Sequence, residues 1–254
     1  MKKSYEGHEI VYKRMMRVGV RSWDEGIDPK REEIDKDTKR FLEDVLSQPW
    51  TPKNGKVLEL GCGTGPMLRW VCKRGFSGVG IDISKTAITM AKEQSKGLDI
   101  KFKQDDVCNL NTKRYGKFDI VIDGHCLHCI TEKRDRTAYL QNAFELLKNN
   151  GLFILLSMCS PIDKKIFETE CRNQIFLNHT VYTPFEKGKE FEGHRIIKGQ
   201  GYLPTRKVPH WNAILGEIKR AGFKIKLLRY NEAAGEDAFS SLTIGALKQD
   251  MNIK

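Results

Sequence analysis

A chain of 254 residues with 39% hydrophobic side chains can bury a core, and its length suits one large α/β domain or a domain with an insertion. Its 44 Lys and Arg against 33 Asp and Glu give a net charge of +11, which favours anionic partners, but the lysines are dispersed and form no block of five or more like charges. No apolar run is long enough to span a bilayer, the opening Met1 to Gly7 is charged where a signal segment would be apolar, and the seven cysteines are scattered. A reducing, cytoplasmic location with no membrane partner is therefore expected.

In chain order, residues 8–20 predict a basic amphipathic helix, with Ile10, Val11, Met15 and Val18 set against Lys13, Arg14 and Arg17. Trp23 and a loop, Asp24 to Pro29, follow. Residues 32–47 place Ile34, Phe41, Leu42, Val45 and Leu46 at helical spacing, and Pro49-Trp50-Thr51-Pro52 stops that helix. Short apolar strands are then expected near 56–60, 77–81, 99–103, 118–122 and 151–158, alternating with helices; an amphipathic stretch, Tyr139 to Lys148, leads through Asn149-Asn150-Gly151 into the fifth strand. A helix over 211–221 and strands over 223–230 and 239–247 close the chain as an antiparallel hairpin.

The stretch 160–210 stands outside this alternation. It reads as long, polar and loop-rich, with Pro161, Pro184, Pro204 and Pro209, yet Phe167, Phe176, Tyr182, Phe185, Phe191 and Tyr202 argue against disorder. It leaves the carboxyl end of the fifth strand, where open α/β sheets hold ligands. The expected organisation is an N-terminal helical lid (1–50) with Tyr12 and Trp23, a nucleotide-type core (51–159), a substrate-binding cap (160–210) and a C-terminal return to the core (211–254).

The most informative stretch is Val57-Leu58-Glu59-Leu60-Gly61-Cys62-Gly63-Thr64-Gly65. A strand that ends in a Gly-rich turn before a helix lets a ligand approach bare backbone. The run lacks the Gly-Lys-Ser/Thr of a phosphate loop, and the G-x-G-x-G spacing would put Pro66 at the third glycine of a dinucleotide fingerprint. About 20 residues on, Gly78-Val79-Gly80-Ile81-Asp82 ends a second strand in an acid suited to a ribose, with Ser84 placed to cap the next helix. Asp105-Asp106-Val107 ends the third strand and Asp123-Gly124-His125 the fourth.

These motifs, in order over roughly residues 55–160, resemble the class I S-adenosylmethionine-dependent methyltransferases of the small-molecule type. The resemblance implies a seven-stranded, mostly parallel Rossmann-like sheet with an antiparallel last strand, N-terminal helices and an inserted cap between strands 5 and 6. It implies S-adenosyl-L-methionine as cofactor and S-adenosyl-L-homocysteine as product. The cofactor wall would comprise Glu59, Gly61, Cys62, Gly63, Gly65, Asp82, Ile83, Asp106, Val107 and Gly124. Asp106 fits the adenine-edge position best because Leu110 then falls on the later apolar position; Asp105 is the alternative. Leu127-His128-Cys129-Ile130 resembles the segment common after the fourth strand.

Methyl transfer from a sulfonium is an in-line displacement, so the protein supplies proximity, orientation and, for some acceptors, a base. His125 is the first base candidate, His128 the second, and Asp123 could orient an amine. Adjacent His-Cys pairs in 125–129 cannot easily converge on one ion, so no metal is expected. The expected acceptor is a heteroatom of a small, by charge anionic, molecule. RNA or DNA is the runner-up on charge, although the Asn/Asp-Pro-Pro-Tyr/Phe signature is replaced here by Asp123-Gly124-His125-Cys126. A non-catalytic cofactor-binding module is the third reading, and the oligomeric state is silent.

Overall fold

The computed structural model describes residues 1–23, 34–185, 188–234 and 237–249. The predicted loop Asp24 to Pro29, positions 32 and 33 of the expected second helix, and residues 250–254 lie outside them.

A single 3-10 turn, Ser4–Gly7, leads into α1, His8–Arg17. This helix is shorter than the expected 8–20, and Gly19 in a left-handed conformation (φ 77°) follows its end. Helix α2, Lys36–Ser47, is capped by Asp35, whose side chain accepts from the Thr38 N–H, and it buries Phe41, Leu42 and Val45. The core alternation then runs β1 (Lys56–Leu60), α3 (Pro66–Cys72), β2 (Ser77–Asp82), α4 (Lys85–Gln94), β3 (Ile100–Gln104), β4 (Phe118–Gly124), α5 (Lys133–Leu146) and β5 (Leu147–Ile162). Ser84 caps α4 as the sequence predicts, accepting from the Ala87 N–H. After an insertion come α7 (Trp211–Arg220), β10 (Phe223–Asn231) and β11 (Phe239–Lys248).

The seven-stranded sheet has the order β10-β11-β5-β4-β1-β2-β3. Strands β1 to β5 pair in parallel, whereas β11 runs antiparallel to both β5 and β10. The mostly parallel sheet with an antiparallel last strand is the expected one. Period-2 alternation divides its side chains between two cores. Leu58, Leu60, Val121, Phe153 and Leu155 pack on one face with α5 and α7, and Val57, Ile120, Ile122, Leu152 and Ile154 pack on the other with α2 and α3. Both faces are covered, which explains why β1 and β4 read as near-continuous apolar runs.

Two expectations are corrected in the second half of the chain. Strand β5 is longer than 151–158 at both ends, because Leu147 pairs with Phe118 and Ile162 with Phe239. The insertion is not loop-rich: after α6 (Lys164–Glu170) it folds as β6 (Ile175–Leu177), β7 (Thr180–Pro184), β8 (Arg195–Ile197) and β9 (Gln200–Lys207). These four make a separate antiparallel sheet of order β6-β7-β9-β8. The insertion is tied to the rest of the molecule by a Lys2–Phe191 bridge and a Ser160–His210 bridge, so the N-terminal segment and the inserted sheet meet directly. Phe167, Val181, Val208 and Ala238 form a small core of their own beneath this second sheet.

Candidate active site

The carboxyl ends of β1, β2, β3 and β4 open onto one cavity of about 300 Å³, at the low end of small-molecule sites. The Gly-rich turn after β1 forms its floor. The Gly61 and Cys62 N–H groups donate to the Ile81 carbonyl at 2.8 and 3.0 Å, and the Gly63 N–H donates to Asp82 Oδ2 at 2.8 Å. Gly61 and Gly63 are left-handed (φ 71° and 52°), a conformation that residues with a Cβ adopt at a cost. A Cβ on Gly61 would stand 2.4 Å from Cys126 Sγ, and one on Gly63 would stand 2.5 Å from the Tyr12 hydroxyl. Both glycines are thus demanded by backbone shape and by space.

Three of the predicted acids reach the cavity. Asp82 is nearly buried and also accepts from the Ser84 N–H at 2.8 Å; burial pushes its pKa up despite these two backbone donors. Glu59 is buried and accepts from the Leu68 N–H at 3.1 Å, and burial pushes its carboxyl up to about 8. Asp106 accepts from the Tyr5 hydroxyl at 3.2 Å and the Cys108 N–H at 2.9 Å. Its neighbour Asp105 turns away to bind the Tyr115 hydroxyl, and only Asp106 lines the cavity. Cys62, Ile83, Val107 and Gly124 line it as well.

Gly65, by contrast, does not line the cavity: it caps α3 with φ 78°, and a Cβ there would meet the Phe102 ring at 2.9 Å. Asp123 is corrected too. Its carboxylate is fully buried and committed to the Cys126 N–H (2.6 Å), the Leu127 N–H (3.0 Å) and the Tyr139 hydroxyl (2.8 Å). No oxygen is left to orient an amine; Asp123 instead braces the turn that carries the histidines. Arg136 supports the same turn, donating to the Leu127 carbonyl at 2.7 Å while paired with Glu217.

The two histidines differ. His128 is buried, and its Nδ1 accepts from the Met158 N–H at 3.2 Å. That bond uses the Nδ1 lone pair and puts the proton of the neutral ring on Nε2, and the side chain is also hydrogen-bonded to Cys129, so His128 has no lone pair left to act as a base. His125, 5.6 Å away between ring centroids, is exposed to the cavity and has no such commitment. It holds a left-handed backbone (φ 75°), unusual for a residue with a side chain. Desolvation lowers its pKa, Asp35 pushes back, and Arg206 adds to the lowering.

The roof comes from far along the chain. Helix α1 is seated by Glu9, whose carboxylate accepts from Ser84 Oγ (2.6 Å) and Thr86 Oγ1 (2.7 Å). Trp23 Nε1 donates to the Tyr12 hydroxyl at 2.8 Å. Tyr5 and His8 from the N-terminal segment and Arg206 from β9 complete the lining. Sequence reasoning named Tyr12 and Trp23 but missed Tyr5, His8 and Arg206, since no local pattern marks them.

The residues present fit an adenosine-type ligand. Bare backbone at Gly61 and Gly63, an acid at the end of β2 and another after β3 lie around one space of suitable size. Residues 57–151 match a family model described as methyltransferase domain. The chain is 29% identical over 115 residues to a ubiquinone biosynthesis O-methyltransferase of Pelagibacter ubique, covering 45% of this chain and 47% of that one. It is 35% identical over 115 residues to human EEF1A lysine methyltransferase 2, covering 42% and 48%. It is also 32% identical over 146 residues to a protein-lysine N-methyltransferase of Saccharomyces cerevisiae, covering 51% and 63%. The chain spans about half the length of the curated relatives it matches. In fold it is similar to the crystal structure of an S-adenosylmethionine-dependent methyltransferase from Clostridium acetobutylicum, with a TM-score of 0.63 at 15% identity, covering 94% of this chain and 99% of that one.

Proposed function

We propose, from a chain whose residues 57–151 belong to the class I S-adenosylmethionine-dependent methyltransferase family, that it transfers a methyl group to a heteroatom of a small molecule. The observation that carries this reading is the single cavity on which Gly63, Asp82, Asp106 and His125 converge. S-adenosylmethionine, when bound, supplies a methyl group on a sulfonium. Gly61 and Gly63 would present backbone to it, Asp82 and Asp106 would accept hydrogen bonds from its sugar and base, and Glu59 would lie beside its polar end. His125 would take the proton of the acceptor, and the roof residues Tyr5, Tyr12 and Trp23 would exclude water.

The roof supports a small acceptor, with the inserted sheet as the substrate-binding part and the N-terminal segment as a lid. Residues of α1 and β9 lie over the same cavity as the cofactor wall, which favours an acceptor small enough to sit beneath them. The relatives that act on protein lysine support a second reading, in which a lysine side chain enters through the same roof. The net charge alone supports a nucleic-acid acceptor.

Calorimetry with S-adenosylhomocysteine tests the cofactor assignment, with binding expected in the wild-type chain and lost in Asp82→Ala and Gly63→Val. Wild-type affinity in both variants would sink it. Transfer of labelled methyl from the cofactor to small-molecule, peptide-lysine and RNA panels separates the acceptors.

A further inference from the structure

Of the 44 Lys and Arg in the chain, Arg206 is the one that lines the cavity among the described residues. It sits on β9, opposite Val181 of β7. Its strand neighbours bond within the inserted sheet: Thr205 bonds to Thr183 at 2.7 Å, and Lys207 donates to the Asn178 carbonyl at 2.9 Å. Arg206 is half-buried, and no described carboxylate makes an ion pair with it. Two other arginines are matched to acids, Arg136 to Glu217 and Arg229 to Asp44.

None of the acids that share the cavity pairs with Arg206; each already accepts from a donor of its own, and Glu59 does so from Leu68. Asp35 caps α2, Asp82 accepts from Gly63 and Ser84, and Asp106 from Tyr5 and Cys108. A half-buried guanidinium on the wall of a ligand cavity, with no described acid paired to it, offers its donors to an anionic ligand. The charge of Arg206 is felt at His125, His128 and Cys129, past the end of β4, and also at His8 on the roof; the cation felt at Glu59 is Arg69.

Resting on the methyltransferase reading, we propose that Arg206 is the specificity-determining residue for the acceptor, and that it holds an oxyanion, a carboxylate or a phosphate, of a small molecule whose nucleophilic atom faces His125. A guanidinium fork pairs with either group through two parallel hydrogen bonds. No covalent step involves it: Arg206 orients the acceptor and keeps its charge throughout.

The test uses the full chain loaded with S-adenosylhomocysteine and titrated calorimetrically with benzoate, phenyl phosphate and neutral benzamide. The wild type is expected to bind at least one of the two anions and to prefer it over benzamide; which anion is tighter tells carboxylate from phosphate. Arg206→Gln is expected to weaken that anion about tenfold or more, Arg206→Lys to lose less, and both to keep wild-type affinity for S-adenosylhomocysteine. Equal anion binding by Arg206→Gln and the wild type, or no anion binding by the wild type, overturns the proposal. So does loss of S-adenosylhomocysteine in both variants, which would assign Arg206 to the cofactor. Failure of the wild type to bind S-adenosylhomocysteine at all would strike instead at the methyltransferase reading.

Discussion

The hydroxyl of Tyr12 lies directly over Gly63, so close that a Cβ on the glycine would meet it at 2.5 Å. The roof of the cavity and its floor are therefore fitted to one another with no methyl group to spare. Gly63→Ala should suffer twice, from a left-handed backbone that costs about 1 kcal/mol or more and from the collision with Tyr12. We expect a lower melting temperature and an affinity for S-adenosylhomocysteine reduced about tenfold or more. Adding Tyr12→Phe removes the colliding oxygen and should restore part of that affinity. A double variant no better than Gly63→Ala would mean that contact with the roof is irrelevant and that backbone strain alone matters.

His125 gives a pH prediction. Desolvation, the first of its influences, holds its pKa below the ordinary 6.5. A base must be unprotonated, so methyl transfer to a protonated acceptor should rise with pH through that lowered value and be level by neutrality. His125→Asn suits the site because asparagine tolerates the left-handed backbone better than most residues. It should lower kcat by about 10²- to 10⁴-fold and remove the acidic limb of the profile. An unchanged limb in the variant would assign the titrating base to another group.

Glu59 links stability to pH in the opposite sense from an ion-paired acid. Its folded pKa is pushed up by burial to about 8, against an ordinary 4.5. Its protonated form is favoured by folding, so its contribution is complete below about 4.5 and is lost as pH rises towards about 8. Asp123, pushed up to about 7 by burial, adds in the same direction. His8, His125 and His128, held below 6.5 by burial, act in the opposite sense, so the test is the difference between the cofactor-free wild type and Glu59→Gln. The denaturant midpoint of the wild type should fall relative to the variant across this window, and a difference that does not change with pH would refute the assignment.

The floor of the site was legible in the sequence because it is made of short contiguous motifs at strand ends. Gly61 to Gly63, Asp82 and Asp106 follow from where apolar runs stop, and β11 from its alternation. The roof was not legible, because its contacts join residues far apart: Arg206 meets the cavity only once β9 has paired with β7. Strands β6 and β8 have three residues each, too short for a period of two to register, so the insertion read as loops. Asp123 misled for another reason. A strand-end acid has the same sequence signature whether its oxygens face a ligand or, as here, three internal donors.

The inserted sheet has its own hydrogen-bonded ladder and, around Phe167, Val181 and Val208, its own packing. Substitutions on the cavity face of β9 therefore leave the cores around β1 and β4 untouched. On the proposed role of Arg206, a new acceptor would be selected, in evolution or in the laboratory, by changing one strand of an accessory sheet while the nucleotide floor stays as it is.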